Sequence, residues 1–194
     1  MFLKSSLNRR TALYGFIALG HVIFSFVFPW FSVPIVVWLF SRKVMGWFIA
    51  SFSVPFFTAV IFTAYKKWAL IHPQRKMILA AAAFFYCAFY FTLSYAPEKL
   101  HILNFSVMGI IFYKFLSPHM RIKRAVIKSL LFTILVGSID EFQQKWIIGR
   151  SSTVHDVFLC VKGAVLGVTI AWIFDKYSRK GRSRPVFQDF NTGK

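Results

Sequence analysis

From Asp140 to Thr153 the chain reads D-E-F-Q-Q-K-W-I-I-G-R-S-S-T, and from Val154 to Phe174 it reads V-H-D-V-F-L-C-V-K-G-A-V-L-G-V-T-I-A-W-I-F. A short polar segment thus delivers the chain into about twenty mostly apolar residues, the length a helix needs to cross a hydrocarbon core. The same pattern, apolar runs with short charged breaks, fills the rest of the chain. Of 194 residues, 57% are hydrophobic and 15% charged, and the mean hydropathy is +0.60. A soluble domain carries more charge. A membrane barrel would show alternating segments of roughly ten residues, and the sequence has none. The expected fold class is all-α, a polytopic transmembrane helical bundle.

Six spans are expected, over about residues 12–31, 44–64, 77–95, 100–115, 125–139 and 154–174. The N-terminal M-F-L-K-S-S-L-N-R-R resembles the positive region of a signal peptide. The apolar run after it is too long for one and lacks a small-residue cleavage site, so it reads as a retained first helix. Pro29 and Pro34 are expected to end or kink that helix, and Pro55 to kink the second. Three parts follow: an N-terminal helical pair over 1–76, a helical core over 77–175, and a basic, disordered tail over 176–194.

The formal net charge of +18 raises nucleic acid as a partner. The bases instead sit in short loops between apolar spans, where Lys and Arg set topology and meet anionic headgroups. No soluble basic face is left for nucleic acid. With six spans, eighteen of the 24 Lys and Arg fall on the side of both termini and five on the other, while Lys162 lies inside a span. That bias makes both termini cytoplasmic. Trp30, Trp38, Trp47, Trp68, Trp146 and Trp172 fall near span ends, as an interfacial aromatic belt does. Four of the six acids, Glu98, Asp140, Glu141 and Asp156, then gather on the outer face. Acids contribute little to topology, so their clustering points to a shared outward polar site.

Asp140 and Glu141 close span five, where the helix dipole favours cations, so they need partners. Lys145, Arg150 and Lys162 are the candidates. Gln144, three residues beyond Glu141, shares its face. Arg150 suits bidentate contact with carboxylate or phosphate, either an internal salt bridge or a lipid phosphate. Thr153-Val154-His155-Asp156 fits a capping box, which gives Asp156 a purely structural role unless Arg150 adds a second. Lys162 lies about 12 Å along the last span by the 1.5 Å rise per residue. A lysine at that depth either snorkels or pairs with a carboxylate, and a buried pair with Asp140 or Glu141 is the preferred expectation. Gly163 and Gly167 form a G-x-x-x-G suited to close helix packing. On span four Glu98, His101 and Asn104 share a face, and a histidine inside a span is a candidate site residue. His101, Glu141 and His155 are the candidates for acid, base or nucleophile work. His21 is polar and isolated. Cys87 and Cys160 both fall in apolar spans and read as buried free thiols. Two cysteines alone do not make a zinc site, and no metal or cofactor is expected.

From about Leu93 to Trp172 the chain resembles the VanZ-like family of small bacterial membrane proteins. The resemblance rests on Pro97-Glu98-Lys99-Leu100-His101, then Asp140, Glu141, Gln144, Gly149, Arg150, Asp156, Gly163 and Gly167, in that order and spacing. The chain departs from the family pattern at Asn104-Phe105-Ser106, Ile148 and Cys160, and residues 1–75 lie outside the resemblance. It implies a protein of the bacterial cytoplasmic membrane acting at the envelope, associated with lowered susceptibility to the glycopeptide teicoplanin. Two expectations follow for Glu98, His101, Asp140, Glu141, Gln144, Arg150, Asp156 and Lys162. They bind or shield a lipid-linked cell-wall precursor from the glycopeptide, or they form an enzyme site for a polyprenyl-phosphate or phospholipid headgroup. A transporter is the weakest of the three readings, because the polar groups sit near one face rather than along a path at mid-membrane.

Overall fold

The computed structural model describes residues 2–41, 44–93, 96–147 and 153–180. All regular structure among them is helical: α1 (Phe2–Ser41), α2 (Met45–Lys67), α3 (Pro73–Thr92), α4 (Ala96–Leu116), α5 (Ile122–Gln144) and α6 (Val154–Lys180), with one 3-10 turn at Trp68–Leu70. Four helices contain stretches long and apolar enough to cross a membrane: Arg9–Val27, Met45–Leu70, Glu98–Leu116 and Val154–Asp175. α3 and α5 contain no such stretch. Arg75 and Lys76 lie in the first turn of α3, and α5 bears Lys123, Arg124, Lys128, Asp140 and Glu141. The large apolar side chains of the outer helices face outward, among them Phe16, Trp47, Phe84 and Phe91. Against lipid such faces cost nothing, whereas in water they would drive association.

α4 and α6 form the centre of the bundle. They approach closely because Gly163 and Gly167 present no side chain to α4. A Cβ at Gly163 would sit 2.7 Å from the Ile102 carbonyl oxygen, and one at Gly167 would overlap the backbone of Ser106. Gly109 returns the arrangement from α4, where a Cβ would lie 3.0 Å from the Ala164 carbonyl oxygen. The expected G-x-x-x-G packing is therefore present. α5 closes against this pair around Phe105, Met108, Val136 and Cys160 at one level and Tyr113, Ala125, Val168 and Ala171 at the next. α1 lies on α4 and α5, α2 reaches α4, and α3 packs on α6.

Three boundaries differ from expectation. α1 passes through Pro29 and Pro34 as one helix of 40 residues, about 60 Å by its rise. A proline removes one internal hydrogen bond, which can bend a helix without ending it. One stabilising contact falls there, from Gln143 Nε2 on α5 to the Phe26 carbonyl oxygen at 2.7 Å. α5 runs to Gln144 rather than stopping near residue 139, so Asp140 and Glu141 lie in its last turn and not in a solvated loop. α6 continues to Lys180, five residues into the expected tail, and Asp175 is buried. At that end of the bundle Tyr113 donates to Asp175 Oδ2 at 3.2 Å, and Lys114 Nζ lies 3.8 Å from Oδ1. α2 likewise continues through Pro55, and α4 opens with Pro97 in its first turn, as expected.

Candidate functional site

The last turn of α5 and the first turns of α4 bring the expected acids and histidine together. Asp140 and Gln144 are one helical turn apart, as are Glu141 and Gln144, so all three share the face that α5 turns inward. Gln144 Nε2 donates to Asp140 Oδ2 at 3.0 Å and reaches Glu141 Oε1 at 3.5 Å. From α4, His101 Nε2 contacts Glu141 Oε1 directly. Phe105, one turn further along α4, sets its ring edge-to-face against the His101 imidazole at 5.3 Å and limits its rotation. Glu141 is 1% exposed, and its second oxygen, Oε2, has no hydrogen-bond partner among the described residues. A carboxylate so placed has lost most of its hydration and has recovered part of it through His101 and Gln144.

Cys160 of α6 completes the back of this cluster. Gly137, one turn before Glu141 on α5, makes room for it: a Cβ there would fall 2.7 Å from the Cys160 Cβ. One ligand-type atom each from His101, Glu141 and Cys160 all lie within 4.8 Å of one another.

In front of the cluster lies a cavity of about 370 Å³ between α1, α2, α4 and α5. Its walls are mostly apolar, with Phe24, Phe48, Phe52 and Phe56 prominent. His21, Ser25, His101, Asn104, Asp140 and Gln144 form its polar corner. His21 pairs with Asn104 across α1 and α4. That supplies the partners that neither residue shows in the sequence. His21 Nε2 and Ser25 Oγ, one turn apart on α1, have no partner among the described residues. His21 stands out in the sequence as an isolated polar group, but a lone histidine or serine in an apolar run reveals nothing of the helix it faces.

The remaining expected residues separate into different roles. Glu98 Oε1 lies 3.8 Å from His155 Nδ1, joining α4 to α6 near the N-termini of both helices, where His155 is more than half exposed. Asp156 caps α6. Its Oδ2 accepts from the Thr153 backbone N–H at 2.9 Å and from the Thr153 hydroxyl at 2.7 Å, and the Asp156 N–H reaches Thr153 Oγ1 at 3.3 Å. The capping box accounts for that residue. Lys162 does not pair with Asp140 or Glu141. It points toward α3, where its Nζ lies 4.0 Å from the centre of the Phe89 ring. Depth along a helix does not set azimuth, and the Lys162 direction is turned away from the Cys160–Gly163 face. A cation over an aromatic face recovers part of the lysine's lost hydration. Gly149 and Arg150 lie outside the described residues.

Chemically, an imidazole held by a buried carboxylate is an arrangement that fixes a histidine for proton transfer or for metal ligation. The apolar chamber beside it, with polar groups converging at one corner, is the usual form of a site for an amphipathic small molecule. Comparison with known proteins finds no matching family model, no matching curated protein and no matching solved structure.

Proposed function

We propose that the chain is a six-span protein of the bacterial cytoplasmic membrane, with both termini inside, that binds a lipid-linked envelope precursor at its outer face. The observation that carries this reading is the chamber between α1, α2, α4 and α5: apolar walls, and buried Asp140 and Gln144 beside His101 at one corner. An acyl or prenyl segment fits the walls. A headgroup rich in amide and hydroxyl donors fits the acids and amide at the corner. Lys162 lies over Phe89 and is not directed at this corner. The resemblance of Pro97–His101 and of the Asp140–Gly167 motifs to the VanZ-like family supports a place in envelope chemistry and a shielding effect against teicoplanin. Expression in a susceptible strain is expected to raise the teicoplanin concentration needed to stop growth. Val107→Trp, which fills the chamber, and Asp140→Asn, which alters its corner, are expected to abolish the gain. Full protection by both variants at normal expression would refute the reading.

The direct His101–Glu141 contact favours a second reading, an enzyme acting on a polyprenyl-phosphate or phospholipid headgroup. His101 would move the proton, Glu141 would orient it, and His155 with Glu98 would stand at the entrance. Headgroup release from labelled lipid by purified protein, lost in His101→Ala, is the expected result; no turnover by folded protein removes this reading.

A further inference from the structure

We propose that His101 Nε2, the Glu141 carboxylate and Cys160 Sγ together bind one divalent cation of the zinc class, with a further coordination position facing the chamber. Three observations converge. The three ligand-type atoms come from three different helices and already lie within 4.8 Å of one another. Ligands around a tetrahedral zinc, with bonds of about 2.0–2.3 Å, stand somewhat closer than this, so small side-chain adjustments suffice. Glu141, 1% exposed, has an oxygen, Oε2, with no hydrogen-bond partner among the described residues. Gly137 is open at the point where a methyl group would collide with Cys160, and this admits the sulfur to the cluster.

Charge selects the ion. One carboxylate, one thiolate and a neutral imidazole around a dication sum to zero, the least costly total inside a helical bundle. On binding, the thiol loses its proton, which leaves by way of the chamber. Mixed sulfur, nitrogen and oxygen donors exclude the hard cations: calcium takes six to eight oxygens, and magnesium keeps an oxygen octahedron. Zinc and its spectroscopic substitute cobalt accept this set. Gln144, which reaches both Glu141 and Asp140, holds the carboxylate from outside the ligand set. The bland alternative is an ordinary buried His–Glu pair with a cysteine packed beside it.

The two alternatives separate in purified full-length Cys87→Ser protein, whose one remaining thiol is Cys160. Cobalt titration is expected to give one equivalent bound and a thiolate-to-cobalt charge-transfer band, displaced by zinc. Gln144→Ala in the same background is expected to weaken the metal by about 10- to 100-fold. Folded, monodisperse Cys87→Ser protein that shows no such band overturns the proposal. So does an equal cobalt signal in Cys87→Ser/Cys160→Ser. The readout contains no lipid. Its failure leaves the precursor-binding reading standing, and loss of teicoplanin protection would leave the metal site standing.

Discussion

Glu141 is the residue on which the interior polar cluster turns. It is buried, it accepts from His101 and Gln144, and it has one further oxygen to offer. Removing His101 leaves the carboxylate charged in the bundle interior, whereas Glu141→Gln removes the charge and keeps an amide for the imidazole to meet. His101→Ala is therefore expected to destabilise the protein by about 3 kcal/mol, and Glu141→Gln by clearly less. Thermal melting in a fixed detergent checks the order, and equal losses would contradict it. The convergence of His101, Asp140, Glu141 and Gln144 was legible in the sequence, from spacing and from the side of the membrane on which all four were expected. Cys160 and His21 were not, since each stands alone in an apolar run and finds its partners on another helix. Lys162 was legible as costly, but its direction depended on which neighbour α6 turned toward it.

At the scale of helices, the glycine contacts between α4 and α6 set the geometry that every other element inherits. Gly167 meets backbone of Ser106, which cannot swing aside, so Gly167→Ala must push the helices apart. Gly15 meets only the ring of Phe115, at 3.1 Å, and a ring can rotate. Gly167→Ala is expected to cost about 1–3 kcal/mol through overpacking, and Gly15→Ala close to nothing, both read as melting temperature in detergent. The G-x-x-x-G was readable because small residues at a four-residue spacing have one main use in membranes. The ends of α1 and α5 were not readable. Prolines often end helices and the dipole at a helix C-terminus disfavours acids, yet α1 continues through Pro29 and Pro34 and α5 holds Asp140 and Glu141 in its last turns beside His101. The capping box at Thr153 was readable because its chemistry is complete within four residues.

For the whole molecule, the two ends of the α4–α6 pair carry different acids in different company. Asp156 and Asp175 stand nineteen residues apart on α6, about 28 Å by the helical rise, close to the thickness of a hydrocarbon core. In a cysteine-free background, Trp146→Cys is expected to react with a membrane-impermeant maleimide added to intact cells, and Lys76→Cys only after the cells are opened. Reaction of Lys76→Cys in intact cells would reverse the orientation and place the polar corner inside. The multi-helix membrane character was legible from composition alone. Which helices line the chamber was not, because apolar faces of similar composition carry no address for one another.

The α4–α6 strut is tied at both tips, by Glu98 to His155 at one and by Tyr113 and Lys114 to Asp175 at the other. Between the tips its backbones interlock without a side chain to yield. A guest that needs more room is therefore expected to find it by displacing the α1–α2 wall rather than by parting α4 from α6.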